Sequence, residues 1–300
     1  MADSDPVPGA VEWLEPGLRR VLAPNPSPMT YHGTNTYLVG DGAVAVIDPG
    51  PASRSHMAAI LDALAPGERV SHIFVTHSHL DHSPLAGPLA EATGAAIHAF
   101  GDSRAGRSAV MEDLARAGLS GGVEGVDADF SPHERLRDGT IVEANGWALQ
   151  ALWTPGHFGN HLAFAWRDVV FTGDQILGWA STMISPPDGD LGAFMASTEA
   201  LADRNTRIFY PGHGAPVPDP SARANWLLDH RRRREAEIAD RLSTQGITIA
   251  ALTCDVYADI PAALLPAAKR NVFAHLIDMV QRKLACADPH LAADARYYRA

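Results

Sequence analysis

Cysteine is scarce. The 300 residues hold two, Cys254 and Cys286, far apart and near no cluster of ligand-type side chains. A disulfide scaffold is thereby excluded, the spacing argues against a cysteine metal site, and two free thiols suit a reducing compartment. Basic residues are also in deficit: 24 Lys and Arg against 35 Asp and Glu give a net charge of −11 with His neutral. Such a surface repels polyanions and argues against strong non-specific nucleic-acid binding, although bound cations reverse the sign locally. No apolar run reaches membrane-spanning length. The opening MADSDPVPGAVEW lacks the basic and apolar regions of a signal peptide. The expected location is therefore the cytoplasm, away from membranes. Repeats and low-complexity tracts are absent as well.

What is present is globular in character, with 46% hydrophobic and 20% charged residues, ample for a sizeable core. Residues 35–39 and 43–47 flank the turn Gly40-Asp41-Gly42 and predict a hairpin. Ser53 or Ser55 can cap a helix running to about Leu64. Residues 70–75 form a short apolar strand leading into Thr76-His77. Ser83-Pro84 then has the form of an N-cap followed by Pro at the first helical position, and Gly94 ends that helix. Residues 107–117 are expected to be helical, broken by glycines 118, 121, 122 and 125. Strands are expected at 140–143, 148–153, 161–166, 169–171 and 206–210, with helices at 191–204 and 221–242. Strands and helices alternate in two series, as when helices cover both sides of β-sheet. From about 245 the chain is Ala-rich and mainly helical to about 284. The expected division is an N-terminal extension over 1–17, a catalytic domain over 18–244 and a small C-terminal helical module over 245–300.

The chemistry concentrates in Thr76-His77-Ser78-His79-Leu80-Asp81-His82-Ser83. Imidazole nitrogen and carboxylate oxygen are good ligands for zinc and related divalent ions. At a strand end, residues i and i+2 point to one side, so His77 and His79 can face one ion. Asp81 and His82 fall in the following turn and can face a second. The plain alternative is a solvated His-rich turn. Three further fragments argue against it: Thr154-Pro155-Gly156-His157, Phe171-Thr172-Gly173-Asp174 and Tyr210-Pro211-Gly212-His213-Gly214. Each puts His or Asp at a strand end beside a glycine.

In this order HSHLDH, TPGH, FTGD and PGHG resemble the metal-binding motifs of the metallo-β-lactamase superfamily. The resemblance covers roughly residues 18–215. It implies an α/β fold, the four-layer αββα sandwich, with a metal site at one edge. It further implies that His77, His79 and His157 bind a first ion, that Asp81, His82 and His213 bind a second, and that Asp174 bridges them. Asn25-Pro-Ser-Pro with Gly33-Thr34-Asn35-Thr36-Tyr37-Leu38-Val39-Gly40, and the ending from Val256-Tyr-Ala-Asp-Ile-Pro through Pro266-Ala-Ala-Lys-Arg-Asn-Val-Phe-Ala-His-Leu, resemble the β-lactamase-like protein 2 group. That group carries a C-terminal winged-helix-like module, and its mammalian member acts on single-stranded RNA.

The expected activity is a dinuclear metal-dependent hydrolase, with two divalent ions, zinc foremost, activating a hydroxide at neutral pH. Asp81 is the expected catalytic carboxylate. Ester, thioester, lactone and phosphodiester substrates, single-stranded RNA included, all stay open. Asn35 and His161 are candidate substrate contacts, each with turn chemistry or a structural role as the alternative. Asp48 is a candidate support for a ligand imidazole. Arg231 to Arg234 fit a solvated, ion-paired helix face. The expected partners are a small molecule or single-stranded RNA, with a homodimer as the assembly. The rivals are a mononuclear iron oxidoreductase resembling the persulfide dioxygenases, and a non-catalytic interaction protein of the same fold.

Overall fold

The computed structural model describes residues 6–121 and 125–300; Gly122, expected as a helix breaker, lies outside them. The first sheet has seven strands in chain order: β1 (Val11–Glu15), β2 (Leu18–Leu22), β3 (Asn35–Val39), β4 (Ala43–Ile47), β5 (Arg69–Phe74), β6 (Ala96–Ala99) and β7 (Glu134–Arg135). Helix α1 (Arg54–Asp62) links β4 to β5, and α2 (Ala86–Thr93) links β5 to β6. β1 to β4 pair antiparallel and β4 to β7 parallel. Parallel neighbours need crossover connections, which these helices supply. After α3 (Ala109–Arg116) comes a second sheet in the order β12-β11-β10-β9-β8. Its strands are β8 (Ile141–Ala144), β9 (Trp147–Trp153), β10 (Leu162–Trp166), β11 (Val169–Gly173) and β12 (Ile208–Pro211). α4 (Leu191–Ala202) crosses from β11 to the parallel β12, and α5 (Pro220–Arg241) follows.

Period-two alternation sorts the side chains into layers. Tyr37, Val39, Ala45, Ile47 and Phe74 point inward, against Leu162, Phe164, Trp166 and Phe171 of the second sheet. The intervening Leu38, Val44, Val46 and Ile73 point outward and pack on Ile60 of α1 and Leu89 of α2. On the other side Ala163, Ala165, Val170 and Phe209 receive Leu201 of α4 and Leu227 of α5. The result is the αββα sandwich.

Two expectations change. The N-terminal extension expected over 1–17 is not separate: β1 pairs with β2 as the edge strand of the first sheet. The helix expected to start at Ser83-Pro84 starts instead at Ala86, with Leu85 as N-cap and no side-chain cap. Ser83 is drawn elsewhere, its Oγ donating to Asp127 Oδ2 at 2.7 Å.

The C-terminal module holds α6 (Ile249–Val256), a 3-10 turn (Ala262–Leu264) and α7 (Leu265–Gln281). It also holds a three-stranded sheet that apolar patterning had not suggested, β13 (Ile247–Thr248), β14 (Ala285–Asp288) and β15 (Arg296–Arg299), in the order β13-β15-β14. Helices with a small antiparallel sheet make a winged helix. Its core is shared with the sandwich: Met111 and Leu114 of α3 and Ile238 of α5 pack with Leu252, Phe273, Leu276 and Tyr297. No described helix is long and apolar enough to cross a membrane.

Candidate metal centre

The strand directions gather the site. β4 and β5 run parallel, as do β11 and β12, and β9 runs with β11 because both oppose β10. The carboxyl ends of these strands meet at one edge of the sandwich. They deliver Asp48, His77, His157, Asp174 and His213. The edge is stitched across the two sheets: Leu162 N donates to Thr76 O at 2.7 Å, and Asn35 N to Gly212 O at 2.7 Å.

Close approach there requires glycine. A Cβ on Gly212 would lie 2.4 Å from Asp174 Oδ1 and 2.8 Å from His82 Cε1. Gly156 has φ +148°, and a Cβ on it would stand 2.3 Å from Phe194 Cα.

All seven expected ligands come together. His77 Nε2 and His157 Nε2 lie 2.9 and 3.1 Å from His79 Nδ1. In a second group, His82 Nε2 is 3.3 Å from His213 Nε2. Asp81 Oδ2 lies 3.4 Å from His82 Nε2 and 3.1 Å from His213 Nε2. Asp174 stands between the groups, Oδ2 3.2 Å from His213 Nε2 and 3.9 Å from His157 Nε2. Donors around one tetrahedral ion at about 2.0–2.1 Å lie roughly 3.3 Å apart, which is the spacing seen. Three groups of ligand atoms close enough to hold an ion are His77/His79/His157, His77/His82/Asp174 and Asp81/His82/His213.

Electrostatics gives the same answer. Burial drives His77 well below the usual imidazole range, helped by His82, His79 and His157. Burial and His157 bring His79 down to about 3, and burial lowers His157. This trio is neutral and ready to donate lone pairs. Burial opposes charge on His82 and His213 too, but carboxylates overcome it. Asp81, Asp174 and Asp48 raise His82 well above its ordinary value, and Asp174 and Asp81 raise His213 to about 10. Burial would raise Asp81 and Asp174, yet His82 and His213 hold both well below the carboxylate range. Two imidazolium edges 3.3 Å apart would repel; a divalent cation would replace both protons and answer the same carboxylates. Asp174 Oδ1 is buried and accepts no hydrogen bond. A donor set this rich with an orphaned carboxylate oxygen fits metal ions.

A supporting layer holds the donors. Asp48, in left-handed backbone at φ 49°, accepts at Oδ1 from Thr76 N at 2.7 Å. Its Oδ2 accepts from Thr76 Oγ1 at 2.7 Å and lies 2.9 Å from His82 Nδ1. His157 Nδ1 donates to Met183 O at 2.8 Å, and His213 Nδ1 to Gly33 O at 3.0 Å. Such contacts fix which ring nitrogen faces the ion. Thr76, Met183 and Gln175, whose Oε1 accepts from His157 N at 3.4 Å, were not singled out from sequence. Carbonyl partners leave no sequence signal, and a lone Thr or Gln little.

Two residues expected at the substrate sit elsewhere. Asn35 is buried, and both its amide protons are used, on Pro211 O at 3.0 Å and Gly214 O at 2.9 Å. It braces the turn carrying His213. His161 is also fully buried. Its Nδ1 lies 2.9 Å from Thr154 Oγ1, and its Nε2 accepts from Asp174 N at 3.2 Å, so it positions Asp174. The Arg231 to Arg234 run is not uniformly solvated either. Arg231 is buried, donating through Nη2 to Thr182 O, while Arg234 lies over the Tyr257 ring at 4.1 Å.

The centre opens into two lobes that share Met29 and Asp174. A polar lobe of about 330 Å³ is lined by Asn25, Thr30, His79, Asp81 and His213 among others. An apolar lobe of about 280 Å³ runs from His157 past Leu177, Trp179 and Met183 to Tyr257, Ile260 and Leu264 of the C-terminal module. At its mouth Trp179 stacks on Tyr31 with ring centroids 4.9 Å apart.

Residues 29–238 match the metallo-beta-lactamase superfamily. The chain belongs to that superfamily. Residues 248–288 match the beta-lactamase associated winged helix domain. A beta-lactamase-like protein 2 homolog of Caenorhabditis elegans is 31% identical over 268 residues, 87% of this chain and 83% of that protein. An atrochrysone carboxyl ACP thioesterase of Aspergillus fumigatus is 29% identical over 237 residues, 76% of this chain. The match spans 65% of that enzyme, just under two thirds of its length. A metallo-beta-lactamase family protein of Thermus thermophilus superposes with a TM-score of 0.76 at 27% identity, covering 96% of this chain and all of that one.

Proposed function

We propose that this superfamily member is a hydrolase holding two divalent ions, zinc being the metal its donors suit, and that it cleaves an acyl substrate, a thioester or ester. His77, His79 and His157 hold one ion; Asp81, His82 and His213 hold the other, with Asp174 between them. When bound, the ions supply Lewis acidity and bring water activation to neutral pH. Asp81 is the least enclosed of the buried ligand set, its side chain 19% exposed on the polar lobe. Its Oδ2 faces His213 and His82, which leaves Oδ1 to orient the attacking water and accept its proton.

The observation that carries the choice of an acyl substrate is the lining of the two lobes. Neither contains Lys or Arg, whereas a phosphodiester chain is tracked by cations. The net charge of −11 adds long-range repulsion of RNA. An apolar cavity reaching a metal centre suits an acyl group instead. The thioesterase name of the Aspergillus fumigatus relative points to the same bond class.

The test is a panel of acyl thioesters, p-nitrophenyl esters, a lactone, bis-p-nitrophenyl phosphate, single-stranded RNA and nitrocefin, with chelated and Asp81→Ala protein in parallel. Thioester or ester turnover should dominate and disappear in both controls. RNA or nitrocefin as the best substrate by a hundredfold would overturn the reading, as would one bound iron with oxygen consumption.

A further inference from the structure

Asn271 of α7 lines the apolar lobe, on the wall furnished by the winged helix. Its Oδ1 accepts twice, from Ile184 N at 3.2 Å and from Arg231 Nη1 at 3.2 Å. Two donors on one atom settle which way the amide faces. Arg231 is 2% exposed. Among the described residues it pairs with no carboxylate; its partners are Thr182 O and Asn271 Oδ1. A buried guanidinium fixed on two oxygens holds the amide oxygen toward itself. The Nδ2 is then the end of Asn271 left for the lobe, and no described protein group accepts from it.

The surroundings make that donor conspicuous. Leu177, Met183, Ile260 and Leu264 line the same lobe, with Trp179, Ser181 and Tyr257 adding polar atoms, and Thr182 Oγ1 is committed to Asp174 O at 2.9 Å. The lobe is continuous with the metal centre through His157 and Asp174. In an apolar cavity a few placed polar groups fix the orientation of what binds.

We propose that the apolar lobe is the acyl-binding site and that Asn271 Nδ2 donates to an oxo oxygen carried on the acyl group away from the scissile carbonyl. The preferred substrate is then the thioester or ester of a bulky, mainly apolar oxo-acyl group. This rests on the acyl-hydrolase reading above.

The experiment uses the whole 300-residue chain loaded with zinc. N-acetylcysteamine thioesters of acetyl, octanoyl and the 3-, 5- and 7-oxo-octanoyl groups are compared by kcat/KM. At least one oxo-octanoyl ester should exceed octanoyl by about tenfold, the scale of one well-placed hydrogen bond. Asn271→Asp keeps an oxygen for Arg231 and Ile184 but removes the donor. It should erase the oxo preference, bringing the oxo-octanoyl and octanoyl values to within about twofold of each other. Ala267→Trp, which intrudes on the lobe from a half-buried position, should slow the octanoyl compounds and spare acetyl. Binding of the non-hydrolysable thioether analogues, followed by calorimetry, should show the same pattern. An oxo preference surviving in Asn271→Asp, or Ala267→Trp slowing acetyl as much as octanoyl, overturns the inference while hydrolysis itself stands. If no acyl compound is cleaved yet analogue binding follows Asn271 and Ala267 as described, the hydrolase reading fails and the acyl site stands.

Discussion

Asp48 carries three contacts on one carboxylate: Thr76 N, Thr76 Oγ1 and His82 Nδ1. Asn in its place keeps the size and tolerates the left-handed backbone, but it offers one acceptor oxygen instead of two. Asp48→Asn should therefore weaken binding of the ion held by His82 about 10- to 100-fold, with the ion on His77, His79 and His157 less affected. Stepwise zinc titration against a competing chelator checks this, and equal loss at both positions would contradict it. Protonation at the same residues sets a pH signature. The folded-state values of His82 and His213 are raised, the latter to about 10. For the metal-free protein their contribution to stability is fully present below the unfolded imidazole value and is lost as pH rises through the raised one. Metal loading displaces those protons. Calorimetry at pH 7 in buffers of differing ionisation enthalpy should record proton release on zinc binding. The gap in Tm between loaded and metal-free protein should widen from pH 6 to pH 9. A constant gap would mean that neither imidazole is protonated in the metal-free state.

At the scale of elements, turns matter more than the strands they follow. Gly156 sits at φ +148° with Phe194 of α4 against it. Gly156→Ala should cost about 2 kcal/mol or more, read as a lower urea midpoint together with loss of the ion held by His157. An unchanged midpoint would show that α4 can give way. Residues such as this explain what was legible beforehand. Strands β3, β4, β5, β10 and β11 carry dense branched and aromatic runs, and ligand-type residues follow the ends of β4, β5, β9, β11 and β12, so the sandwich and its donor set stood out. β1 and β15 did not, because Val11–Glu15 and Arg296–Arg299 mix charge with aromatics and derive their regularity from pairing with β2 and β14. The start of α2 was misplaced because Ser83 has the composition of a cap, yet its hydroxyl finds Asp127, a partner distant in sequence. In the sequence Asn35 and His161 stay open between substrate and structure, and Arg231 reads as solvated, for a shared reason. Polar side chains suggest solvent or substrate, and only three-dimensional contacts reveal that backbone and side-chain groups within the protein satisfy them.

At the scale of the molecule, the winged helix shares one core with the sandwich. Met111, Leu114 and Ile238 of the sandwich region pack with the module's Leu252, Phe273 and Leu276. Arg270 of α7 donates to Ser120 O, Gly121 O, Pro186 O and Ser185 Oγ. A chain truncated after residue 244 should expose that core and either aggregate or melt well below the full protein, as size-exclusion chromatography and thermal unfolding would show. A soluble, fully active truncation would contradict this. The donors raise a different matter, the order of assembly. They are scattered from position 77 to position 213, and no single hairpin or βαβ unit supplies three strands' worth of them. Closing such long loops is what slows a folding chain. Four of the seven donors lie together at 77–82, but each candidate group also needs His157, Asp174 or His213 from the second sheet. On the two-ion reading a complete group exists only once both halves of the sandwich have docked, so zinc uptake in a refolding experiment should time the last step rather than the first.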